Sequence, residues 1–168
     1  MLQDVFDFET ILKVLARHEI AFIVVGGLCA VLHGAPIHTY DLDIVPDRDS
    51  VNLEKLELAL RELGAYYREH TRQRLLPEAA RMTTAGHHLL NTSAGPLDVL
   101  GAIANARDYA NLLPHTVEIA LDETTWIRIL DLETLILTKQ ETGRVKDKLA
   151  LPILQSTLEE IKRAADPS

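Results

Sequence analysis

Residues 22–45, FIVVGGLCAVLHGAPIHTYDLDIV, constrain the fold of this chain more than any other stretch. Phe22–Val25 is a short β-branched and aromatic run, the composition of a buried strand. Gly26-Gly27 breaks it. Leu28, Ala30, Val31 and Leu32 predict one short helix, ended by Gly34 in the C-cap role with Pro36 just beyond. Asp41–Val45 then starts a second strand. Residues i and i+2 of a strand share a face, so Asp41 and Asp43 project together while Leu42 and Ile44 point into a core. Two like charges side by side repel. A hard divalent cation with oxygen ligands, Mg²⁺ above all, is the natural group to sit between them.

Strand, Gly-Gly, short helix and Asp-x-Asp on the next strand, in this order and spacing, resemble the polymerase β-like nucleotidyltransferase superfamily. Val25-Gly26-Gly27 and Asp41-Leu42-Asp43 flank a spacer, Leu28–Tyr40, of the family's length. His33–Asp41 is similar more specifically to the small bacterial, minimal members. Many of those carry Arg where this chain has Ile37, and Ser is common where it has Gly27. The resemblance implies an α/β (α+β) nucleotidyltransferase fold. A mixed central sheet would contain Phe22–Val25, Asp41–Val45 and Leu97–Leu100, with helices chiefly on one face.

At 168 residues the chain is read as one domain, 1–168, with a core over 21–130 and C-terminal helices over 131–164. A formal net charge of −8 disfavours a protein that grips nucleic-acid backbone through a basic stripe. The single cysteine, Cys29, has no internal disulfide partner and is placed among apolar helix residues as a small buried side chain. With no signal-peptide pattern and no run near ~18 apolar residues, a cytoplasmic protein without a membrane partner is expected.

Helical periodicity covers residues 4–18, with Asp4, Asp7 and Glu9 early and Lys13, Arg17 and His18 late, as the helix dipole favours. Pro46–Ser50 reads as a turn ending in an N-cap, followed by a helix over Val51–Leu63 closed by Gly64. Residues 65–86 are locally basic through Arg68, Arg72, Arg74 and Arg81. They read either as a solvated loop with a short helix or as a rim that attracts a polyanion. His87–Asn91 and Leu97–Leu100 predict two strands around the turn 92–96. Asp98 lies between apolar neighbours in the second, where a carboxylate is costly to bury unless paired or bound to metal. It is either a hairpin-end residue or, as the resemblance implies, the third metal carboxylate on a strand beside Asp41 and Asp43.

Arg107–Leu113 predicts a short helix ended by Pro114, and Val117–Leu121 with Trp126–Leu130 a strand pair. Asp131 is expected to cap a helix running to Gly143, and a last helix spans Arg144–Ala164, kinked or split at Pro152. Lys139 and Arg144 suit a helix end as cations. The stretch 131–147, however, also resembles the small nucleotidyltransferases, which implies that Lys139 contacts the triphosphate. The adjacent His87 and His88 point to opposite faces of a strand and so cannot chelate one ion.

The resemblance implies a Mg²⁺-dependent enzyme that moves a nucleotide from an NTP, ATP by default, to a hydroxyl acceptor and releases pyrophosphate. Asp41, Asp43 and Asp98 would bind two Mg²⁺ ions, with Mn²⁺ as a substitute, and serve as the catalytic carboxylates. Gly26, Gly27 and Lys139 would bind the nucleotide. The acceptor is a small molecule, a protein or a tRNA end, and a partner protein encoded nearby fits some family members. The alternative is a catalytically inactive nucleotide- or partner-binding module of the same fold, such as half of a toxin–antitoxin pair.

Overall fold

The computed structural model describes residues 6–70 and 72–166. Seven strands, β1 (Phe22–Val25), β2 (Leu42–Pro46), β3 (Tyr66–Tyr67), β4 (His87–Thr92), β5 (Gly95–Leu100), β6 (Thr116–Ala120) and β7 (Trp126–Leu130), form one mixed sheet. Their order is β3-β4-β5-β2-β1-β7-β6, with β2–β5 and β1–β7 parallel and the other pairs antiparallel. The three strands expected at the centre, β1, β2 and β5, are adjacent there. Among the described residues six α-helices complete the mixed α/β fold: α1 (Phe8–Arg17), α2 (Gly26–Leu32), α3 (Ser50–Glu62), α4 (Tyr109–Leu112), α5 (Leu132–Thr142) and α6 (Val145–Ala165).

All four residues of β1 are buried, and Leu42 and Ile44 of β2 are inaccessible to solvent, as alternation around Asp43 requires. β2 begins at Leu42, so Asp41 lies one residue before the strand. The β2–β5 ladder starts at Leu42↔Leu97, and the Asp41 carbonyl accepts from the Thr39 hydroxyl at 2.9 Å. Asn52, buried at the start of α3, ties β1 to β2. Its amide accepts from Ala21 N–H at 2.8 Å and donates to the Ala21 and Asp47 carbonyls at 3.0 and 2.7 Å.

Several element ends differ from the sequence expectation because particular side chains cap them. Asp49 rather than Ser50 caps α3, its carboxylate accepting from Val51 N–H at 3.1 Å. Asp7 caps α1 through Thr10 N–H at 3.0 Å; Asp4 and Val5 lie outside the described residues. A capping box of Asp108 and Asn111 starts α4 at Tyr109, two residues later than expected, and Pro114 falls in a following 3₁₀ turn. Residues 65–86 hold β3 and two 3₁₀ turns rather than only loop and helix. Asp131 and Gly143, the latter at φ +61°, bound α5 as expected.

Pro152 does not split α6, which is continuous over 21 residues. The proline is exposed, so the helix carbonyl it leaves without an N–H faces water. Among the described residues, no helix is long and apolar enough to cross a membrane.

Candidate active site

Strand register builds the centre of the site. In the parallel β2–β5 pair Asp43 stands opposite Asp98, and Asp41, two residues before Asp43, projects from the same side. One carboxylate oxygen from each of the three lies within 4.8 Å of the others. Asp98 is therefore a mid-strand residue, 8% exposed, and not a hairpin-end acid.

Gly26 makes room for this arrangement. Its φ of +69° is a conformation that favours glycine, and a Cβ there would sit 2.1 Å from Asp43 Oδ2. A Cβ on Gly27 would lie 2.9 Å from Thr39 Oγ1, so both glycines let the backbone pass close to polar side chains. Burial, and then the charges of Asp41 and Asp98, push the Asp43 carboxyl up to about 7. Burial also raises Asp98, against the opposing pull of Arg68. An all-carboxylate set of convergent oxygens fits a hard divalent cation.

A second charged cluster sits where α5 meets α6. Asp147, 1% exposed, accepts from Arg144 Nε and Thr142 Oγ1 at 2.8 Å each, and Lys139 Nζ lies 3.4 Å away. Burial would raise Asp147, but these hydrogen bonds and the Lys139 charge outweigh it and hold the carboxyl below its ordinary value. A cleft of about 450 Å³ joins the two clusters, with Gly26, Gly27, Asp41 and Asp43 on one side and Lys139, Arg144 and Lys146 on the other. Ile37, Leu149 and Ile153 add an apolar wall.

The structure thus brings Gly26, Gly27, Asp41, Asp43 and Lys139 to one cleft, with Asp98 against its acidic side. Sequence reasoning missed two residues. Arg68, grouped with a basic loop, turns inward and donates from Nη2 to Asp98 Oδ1 at 2.8 Å. Asp147, unassigned in the resemblance, is the buried partner of Lys139; its place in the first turn of a helix three residues after Arg144 was the available signal. His33 Nε2 lies 2.8 Å from the Leu130 carbonyl oxygen, a structural contact at the end of α2. The two neighbouring histidines diverge, His88 pairing with Tyr67 OH at 2.7 Å and His87 Nε2 lying 3.2 Å from the Ala102 carbonyl oxygen.

The fold has well-matched solved relatives. A candidate nucleotidyltransferase from Thermotoga maritima aligns over 91% of each chain with a TM-score of 0.55 and 17% identity. The lincosamide antibiotic adenylyltransferase LnuA, solved with lincomycin, aligns over 89% of this chain and 95% of its own, at a TM-score of 0.60 and 16% identity. The antibiotic-resistance factor ANT(2'')-Ia matches with the same score and identity over 94% and 88%. The chain shares the fold of these nucleotidyltransferases. No family model matches the sequence, and neither does any curated protein. At such identities the nucleotidyltransferase fold is shared while side chains have diverged, so the chemistry rests on the residues of the cleft.

Proposed function

We propose that this protein is a metal-dependent nucleotidyltransferase that moves a nucleotide from an NTP, by default ATP, to a hydroxyl acceptor. The convergence of Asp41, Asp43 and Asp98 beside a glycine that leaves space for Asp43 carries this reading. The fold shared with an antibiotic adenylyltransferase supports ATP as donor and a small molecule among the acceptors.

Asp41, Asp43 and Asp98 would hold Mg²⁺, two ions in the full site, with Mn²⁺ able to replace it. Bound there, the metal would neutralise phosphate charge and lower the pKa of the acceptor hydroxyl. The remaining work falls to the chain. Gly26 and Gly27 bring bare backbone to the phosphates, and Lys139 supplies a cation from the opposite wall of the cleft. The acceptor oxygen bonds to the α-phosphorus as its bond to the pyrophosphate oxygen breaks, and the acceptor proton passes to Asp98. Orientation and charge neutralisation supply most of the rate in such transfers.

Transfer of label from an α-phosphate-labelled NTP, in a lysate containing the native acceptor, tests the reading. Asp41→Ala should lower labelling by orders of magnitude while the circular dichroism spectrum stays native. Equal labelling by wild type and variant would defeat it and leave a binding module of the same fold.

A further inference from the structure

The third carboxylate does not face the site unattended. Arg68 Nη2 bonds Asp98 Oδ1 at 2.8 Å and the Leu90 carbonyl at 3.0 Å, while Nε reaches Asn91 Oδ1 at 3.3 Å. Leu90 and Asn91 belong to β4, the strand beside Asp98, so the guanidinium is held in place by groups independent of the acid it meets. Its side chain is two-thirds covered, at 33% exposure, unlike the exposed Arg72 and Arg81 of the same segment. Among the described residues it is the one cationic side chain in ion-pair contact with any of the three aspartates.

Two consequences follow from this geometry. With Oδ1 engaged by Arg68, the Asp98 carboxylate is restrained from rotating. A guanidinium also stays charged at every working pH, so it permanently offsets part of the triad's negative field. We propose that Arg68 is a positioning residue that acts on the site through Asp98: its fixed positive charge on that carboxylate weakens the triad's grip on a divalent cation. The inference rests on the metal-dependent reading above. A grip tempered in this way suits an ion that is bound jointly by a few carboxylates and substrate phosphates.

Titration of the intact protein with Mn²⁺ at pH 8, following the electron-paramagnetic signal of the free ion without nucleotide, tests the role. Arg68→Gln should bind Mn²⁺ about tenfold more tightly, because a unit charge beside the site, damped by solvent, is removed. Arg68→Lys, which keeps the charge, should return within about threefold of wild type. A purely structural arginine predicts the opposite sign, with Arg68→Gln binding more weakly as Asp98 loses its support. Equal or weaker Mn²⁺ binding by Arg68→Gln overturns this inference alone; no Mn²⁺ binding by the wild type overturns it together with the metal-dependent reading. Should Arg68→Gln not fold, the wild type decides. Mg²⁺ should then shift the Arg68 Nε–H nuclear magnetic resonance, assigned by its loss in Arg68→Lys, and an unmoved signal overturns the inference.

Discussion

Two acidic centres face one cleft, and they are built in opposite ways. At the strand triad three carboxylates crowd together, only Asp98 forming an ion pair among the described residues, and Asp43 is pushed up to about 7 by burial and by its neighbours' charge. At the α5–α6 junction one carboxylate, Asp147, has Lys139, Arg144 and Thr142 around it and is held below its ordinary value. Asp147 is the more buried of the two by residue exposure, so burial does not decide the difference. The balance of partners does. A group whose partners match its charge is held ionised, whereas a group crowded by like charge is pushed toward its protonated form. It is the crowded centre that the proposed reading assigns to a cation.

The largest break in that contrast is expected from Asp147→Ala. It leaves Lys139, whose side chain is 12% exposed, without its partner. Loss of one member of a buried pair should destabilise the fold by ~3 kcal/mol, measured by urea denaturation. A cost below ~1 kcal/mol would show that this pair does little for stability.

Lys139→Ala probes the link between the centres. Arg144 and Thr142 still satisfy Asp147, so stability should fall less than in Asp147→Ala. Nucleotide affinity should weaken by ~1.5–3 kcal/mol, the worth of a charged hydrogen bond, as read by calorimetric titration. Unchanged affinity would remove Lys139 from the phosphate site.

The prediction sharpest in sign concerns pH. Asp43 has a folded pKa raised above its unfolded value near 3.8, so its contribution favours folding below that value and is lost as pH rises toward about 7. The metal-free protein should therefore lose melting temperature across this window, and Asp43→Asn should flatten the decline. Millimolar Mg²⁺ with nucleotide should raise the wild-type melting temperature, and Asp43→Asn should reduce that gain. Asp147 runs the other way. Its lowered pKa gives stability that is present above the unfolded value and lost as pH falls through the folded one. A pH slope that persists unchanged in Asp43→Asn would refute the crowding account.

Legibility followed the range of the interactions. The β1–α2–β2 unit was readable because alternation around Asp43 and the Gly26-Gly27 break act over neighbouring residues. The caps of α5 were readable for the same reason, since Asp131 and Gly143 satisfy backbone groups within one turn. The limits of α3 and α4 shifted because several polar residues compete to cap each helix, and only packing selects among them. In residues 65–86 the pattern is weak, and a two-residue edge strand leaves almost no periodic trace.

By itself, the sequence determined that Asp41 and Asp43 project together from the end of one strand, behind a glycine pair that starts a helix. Those are consequences of backbone period and glycine conformation, and they need no distant partner. Only the tertiary structure decided that Asp98 joins them, through a parallel β2–β5 register that no local pattern encodes. It likewise decided that Arg68 leaves its basic segment to hold Asp98, 30 residues away in sequence, and that Lys139 meets Asp147 across a helix junction. An ion pair depends on where two side chains come to rest, and that is set by the packing of the sheet and helices that carry them.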